Sequence, residues 1–273
     1  METQIISPPV NAQGPTYAGY LRLDELLACQ SPRSDAHDEM LFIVIHQASE
    51  LWMKLCLHEL NAARAAIMAD DIGGAMKMMA RVARVQAQLI QSWEVLVTIT
   101  PADYSAMRGG LGASSGFQSY QYRMLEFIMG NKNARMIEVH SAMPQVQSAL
   151  QEALANSSLY DEALRLLARR GLPVPADHLE RDFTQNYVAS AAVEAAWAIV
   201  YQNPKKYWDL YDLAEKLVDL EYRFQIWRFN HLKAVERVIG FKRGTGGSDG
   251  VPYLARMIEH VFFPELLTVR LVL

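Results

Sequence analysis

Two histidines stand where an imidazole is expensive to keep. His46 follows Phe42-Ile43-Val44-Ile45, with Phe42 one helical turn before it and Glu50 one turn after. His231 shares a helical face with Trp227 and Phe224 behind it and with Val235 and Val238 ahead. An imidazole on an apolar stripe resists charging and needs a partner for each nitrogen. Two chemistries fit it. One is a satisfied core histidine. The other is an axial ligand in a dry pocket, where neutral imidazole binds iron. Spacing alone leaves both open. The remaining histidines, His37, His58, His140, His178 and His260, have no neighbours that suggest a site. No His-Glu-x-x-His occurs, which excludes that class of zinc protease.

The glycines are the second signal. Nine of the 15 lie in two short stretches, at 109, 110, 112 and 116 and at 240, 244, 246, 247 and 250. Helix ends need one glycine, not four or five. Such clusters suit backbone lying close against a ligand with its amides exposed. Each stretch carries cations, Arg108 in the first and Lys242 and Arg243 in the second, beside small donors. That combination suits a carboxylate or phosphate on a small molecule. Neither stretch is a P-loop, since Gly-Lys-Ser/Thr is missing, and neither follows a strand as a dinucleotide fingerprint would.

The elements that must position these groups read as helices. Residues 35–68 form a long helix, apolar nearly all round at its start. Gly73-Gly74 breaks the chain. A second helix spans 75–98, with Met79, Val82, Gln86, Leu89, Trp93 and Leu96 at spacings of three or four, and Thr100-Pro101 stops it. A shorter helix runs from Phe117 to Ile128 and ends at Gly130-Asn131. Helical pieces fill 133–171, an Ala-rich helix spans 188–202, a long one 205–239 and a short one 252–268. No clean period-two alternation appears, so no strand is expected. The class is all-α, a helical-bundle domain over residues 20–273 with an inserted helical hairpin near 145–200. Residues 1–19, with Pro8, Pro9, Gly14 and Pro15, read as an extended N-terminal arm.

Composition bounds the partners. The chain has 273 residues, a net charge of −4 and 51% hydrophobic residues, which excludes disorder and a chain-wide nucleic-acid footprint. Cys29 and Cys56 cannot build a disulfide framework or a four-thiolate zinc site. The N-terminus lacks the features of a signal peptide. The densest apolar run, Met40–Ile45, is far short of the about 18 residues a membrane span needs. A cytoplasmic protein without membrane contact is expected.

The stretch from Asp38 to Lys54, Asp-Glu-Met-Leu-Phe-Ile-Val-Ile-His-Gln-Ala-Ser-Glu-Leu-Trp-Met-Lys, resembles the signature helix of the tryptophan 2,3-dioxygenase family. Further blocks are similar: Thr16-Tyr-Ala-Gly-Tyr-Leu21, Gly112-Ala-Ser-Ser-Gly-Phe-Gln-Ser119 and Phe241-Lys-Arg-Gly-Thr-Gly-Gly247. So are Gly130-Asn-Lys-Asn133 and Phe262-Phe-Pro-Glu-Leu266. The likeness covers about residues 16 to 268 and is that of a bacterial, short form. It implies haem b, one per subunit, with His231 as the axial iron ligand. The family often has Arg where Asn230 stands. The likeness implies that His46 lies beside the substrate indole N–H, that Arg108 pairs with the substrate carboxylate and that Thr245 meets the amino-acid end. Phe42, Tyr104 and Leu111 would wall the indole, and Ile43, Val44 and Ile45 would bind the substrate with them. Ser115 and Trp93 would border the haem. Tyr17 and Tyr20 would reach a site on a neighbouring subunit of a homotetramer, a dimer of dimers. The implied reaction inserts both atoms of O₂ across C2–C3 of L-tryptophan, giving N-formyl-L-kynurenine, the first step of the kynurenine pathway.

Two other readings of the residues stand beside this one. His46, His231 and Glu50 could form a non-haem two-histidine, one-carboxylate iron set. Alternatively the chain could bind haem as a sensor or store without turnover.

Overall fold

The computed structural model describes residues 16–247 and 249–273, and among them there are helices and turns but no strand. The longest elements are built on stripes of apolar residues. Helix α1, Glu39–Met68, buries Met53, Cys56, Leu60, Ala63 and Ile67 at helical spacing. Asp70, with a φ of 59°, turns the chain, and Asp71 accepts a hydrogen bond from the Gly74 amide at 2.9 Å. That cap starts α2, Ile72–Leu96, which folds back along α1. The break thus precedes Gly73-Gly74, which lie in the first turn of α2.

The largest correction concerns residues 100–111. Thr100-Pro101 begins a helix as well as following one. The Thr100 hydroxyl accepts from the Asp103 amide, and the Asp103 carboxylate accepts from the Thr100 amide at 3.1 Å. With proline in the first turn, this capping box nucleates α3, Pro101–Leu111. Tyr104 and Met107 anchor α3 in an apolar cluster with Leu96, Ile99 and Val238. Gly109 and Gly110, expected in a loop, are therefore helical, and Arg108 sits in the last turn. Thr100→Ala is expected to cost about 1 kcal/mol, read as a lower denaturant midpoint at unchanged slope.

Helix α4, Tyr120–Met129, ends at Gly130, whose φ of 118° suits glycine alone. Then come α5, Pro144–Ala155, α6, Leu159–Arg169, and α7, Ala191–Gln202. The expected hairpin near 145–200 is thus these three helices and a short turn of helix, Ala176–Leu179. It does not stand apart: Leu164, Leu166, Leu167 and Trp197 are fully buried in the same core as α1 and α2. Helix α8, Trp208–Val238, runs along α2 and carries the other side of that core through Leu213, Leu217 and Leu220. The expected helix over 252–268 is two: α9, Val251–Ile258, and α10, Pro264–Thr268. Proline at the start of α10 separates them.

The expected arm lies mostly in residues 1–15, outside the described residues. Its end is not extended. Thr16 caps a helical turn, Tyr17–Leu21, through a hydrogen bond from the Gly19 amide at 3.1 Å. Among the described residues one helix, α1, is long and apolar enough to cross a membrane, with a mean hydropathy of 1.3 over its best window. An uninterrupted apolar run underestimates such a helix, because a window tolerates His46, Gln47 and Ser49. In this fold α1 packs on α2, α4 and α6 and lines the cavity described next, while Met40, Val44, Leu51 and Trp52 stay exposed.

Candidate active site

A cavity opens where the N-terminal half of α1, the C-terminal ends of α2 and α8, and helices α3 and α9 converge. Helix α1 lines it with Phe42, Ile45 and His46, and α2 with Trp93 and Leu96. Tyr104 and Leu111 come from α3, and His231 from α8. Ser115 and Thr245 come from the two glycine-rich stretches. Those two stretches meet. The Thr245 hydroxyl donates to the Ser114 carbonyl at 2.5 Å. A Cβ at Gly246 would lie 2.7 Å from that of Ser115, so only glycine lets the strands of loop approach this closely.

His46 is held in one tautomer. Its Nδ1 lies 2.7 Å from the Phe42 carbonyl, which can only accept, so Nδ1 carries the proton. Burial lowers its pKa below the ordinary value, outweighing the Phe42 carbonyl and the charge of Glu50. The neutral ring then has Nε2 as a bare acceptor at a cavity whose walls are largely apolar, suited to an N–H donor on a ligand. The Phe42 ring lies 4.2 Å from that of His46. The folded chain favours neutral His46, so the unfolded chain takes up the proton first. Its contribution to stability is constant above about pH 6.5 and falls as the pH drops below that value. A lower Tm at pH 5 than at pH 7 is expected, with a shallower fall in His46→Gln.

His231 faces the same cavity on α8. Burial, with the His46 ring as a lesser cause, lowers its pKa to about 4, so it is a neutral imidazole at physiological pH. The Trp93 ring stacks on it at 4.7 Å and 11°. Trp93 Nε1 is buried with no hydrogen-bond partner. A neutral imidazole on an apolar wall, beside an orphaned buried donor, fits the residues that would hold an iron porphyrin. The non-haem set is not assembled. Among the described residues no three His, Cys, Asp or Glu side chains gather as metal donors, and Glu50 accepts from Gln121 Nε2 at 2.7 Å.

Not every expected residue comes to the cavity. Arg108 does not line it. The guanidinium donates to the Arg243 carbonyl at 2.8 Å and sits 5.8 Å from the Tyr104 ring centroid, facing a separate cleft. Ile43 and Val44 follow the helical phase away from the cavity wall, and Val44 is 44% exposed. Tyr17 and Tyr20 are 77% and 75% exposed, with no part in this cavity. Conversely, the sequence reading missed Arg123 and Arg228. Both are buried at the cavity wall and share Glu126, at 2.6 and 3.1 Å. It also missed Tyr253, Leu254 and Met257, one face of α9. Their i, i+1, i+4 spacing was the available signal.

The family model for tryptophan 2,3-dioxygenase matches residues 2–155 and 198–273, most of the chain. The chain belongs to the tryptophan 2,3-dioxygenase family. A tryptophan 2,3-dioxygenase of Erythrobacter litoralis is 61% identical over 95% of this chain and 98% of its own length. One from a Polaromonas species is 60% identical over 93% of this chain and 87% of its own. One from Cupriavidus necator is 57% identical over 95% and 88%. The all-α fold agrees with membership of the dioxygenase family. Residues 156–197, between the two matched segments, hold α6 and the first half of α7.

Proposed function

We propose that this chain opens the pyrrole ring of L-tryptophan with O₂ to give N-formyl-L-kynurenine. One observation carries the reading to the site: two neutral imidazoles, one fixed in tautomer and one beside Trp93, on opposite helices of a single largely apolar cavity. Haem b, one per subunit, would be held by His231 and would supply the O₂ chemistry.

The protein supplies position and exclusion of water. His46 Nε2 accepts from the indole N–H and orients the ring. Indole C3 is electron-rich, so His46 orients and does not need to act as a strong base. Phe42, Ile45, Tyr104 and Leu111 wall the indole and keep the site dry. Arg108 binds the carboxylate after leaving the Arg243 carbonyl, a single neutral acceptor that a carboxylate outbids. Thr245 holds the amino-acid end, and its link to Ser114 ties both loops to the bound substrate. Ser115 and Trp93 would border the haem. Ile43 and Val44 support His46 from the far side of the helix.

The assembly belongs to the same reading: a homotetramer in which Tyr17 and Tyr20 reach a neighbouring subunit. Their exposure supports that role. Residues 20–273 act as one catalytic domain, with residues 1–19 as the arm. The chain works in the cytoplasm, without membrane or nucleic acid. Its free thiols, Cys29 and Cys56, suit a reducing compartment.

Reduced, haem-loaded protein should show a Soret band. On adding L-tryptophan and O₂ it should give a steady rise in the near-ultraviolet absorbance of a formylkynurenine. A haem-loaded protein with no such rise would leave only a sensor or store.

A further inference from the structure

A second cleft, of about 260 Å³, lies between α3 and the C-terminal end of α8. Tyr104, Val238 and Ile239 line both this cleft and the main cavity, so the two spaces share a wall. The cleft is cationic. Arg108 enters it from α3, Arg237 from α8 and Lys242 from the second glycine-rich loop. Among the described residues none of the three has a carboxylate partner. Arg108 rests on the Arg243 carbonyl, and Arg237 Nε donates to the Val97 carbonyl at 3.1 Å. The one acid lining the cleft, Glu236, is already paired with Lys233 at 2.7 Å. Three cations converging on a space large enough for a solvated ion, with their charge unneutralised, form an anion site in waiting.

We propose that this cleft binds a small oxyanion, a carboxylate or a phosphate, between Arg108, Arg237 and Lys242, and that the bound oxyanion competes with the substrate carboxylate for Arg108. The competition rests on the reading of Arg108 given above; the binding site does not. An oxyanion in the cleft holds Arg108 on the far side of Tyr104. Tryptophan must then draw Arg108 back, so its apparent affinity falls while the rate at saturation is unaffected.

Inorganic phosphate and acetate are the probes. Each replaces chloride at constant ionic strength and is titrated into the haem-loaded protein by calorimetry, and KM for tryptophan is measured in parallel. Phosphate is expected to bind and to raise KM about threefold or more with kcat unchanged. Arg237→Gln should abolish both effects while leaving KM in chloride near its starting value. Lys242→Gln, on an exposed loop, repeats the test should Arg237→Gln fail to fold. Tighter binding of acetate than phosphate would identify a carboxylate site, and the reverse a phosphate site. Phosphate and acetate binding that is absent, or indifferent to both substitutions, would overturn the proposal. Should turnover of tryptophan itself fail, binding that depends on Arg237 or Lys242 still establishes the cleft as a site. A rise in KM that persists in both variants would overturn the competition.

Discussion

His231→Ala is expected to leave the purified protein without haem. The side chain is the neutral imidazole on the α8 wall, with its pKa lowered to about 4 and Trp93 stacked on it. Removing an outer partner of a metal ligand already costs about 10–100-fold in affinity. Removing the ligand should cost more, because it takes away the protein's own donor to the iron rather than a group that orients it. The ratio of Soret to protein absorbance reads the loss directly. The fold should survive, since the core of α8 rests on Leu213, Leu217 and Leu220, away from the cavity. Far-ultraviolet circular dichroism close to that of the unaltered protein would show that haem was lost without unfolding. A variant that keeps full haem and activity would remove His231 as the ligand.

Arg108→Ala carries the second largest expectation, a fall in kcat/KM for tryptophan of about 10²-fold or more, equivalent to about 2.7 kcal/mol. A planar guanidinium gives a carboxylate two parallel hydrogen bonds that no neighbouring group supplies. In the structure Arg108 lies outside the cavity, held by one carbonyl and the Tyr104 ring. The substitution therefore removes a group recruited by substrate, and haem content should be unchanged. Arg108→Lys should recover little, because an ammonium cannot make the bidentate contact. Unchanged kcat/KM in Arg108→Ala would take Arg108 out of substrate binding.

Helical periodicity placed His46 and His231 on apolar faces, and both faces turn inward to one cavity. It could not say that they face each other, because that depends on how α1 and α8 pack around α2. The glycine clusters pointed to the cavity mouth. Their contact through Thr245 and Ser114 spans 131 residues of sequence and leaves no local signal. The start of α3 was written in Thr100, Pro101 and Asp103, yet a proline after a helix reads first as a stop. Gly109 and Gly110 strengthened the wrong reading, since their cost in a helix is met by the burial of Tyr104 and Met107. Arg123 and Glu126 are three residues apart on α4, but Arg228 joins them from 102 residues further along the chain, so no spacing reveals the whole buried network. The specific blocks, by contrast, carried the family on sequence alone.

Both atoms of one O₂ molecule should enter the indole ring of tryptophan. Mass spectrometry of the product formed by reduced, haem-loaded protein under ¹⁸O₂ tests it most directly. The expected product is N-formylkynurenine with two labelled oxygens, allowing for exchange at the formyl group with solvent. A product carrying only one labelled oxygen after correction for that exchange, or an indole ring left closed, would contradict it.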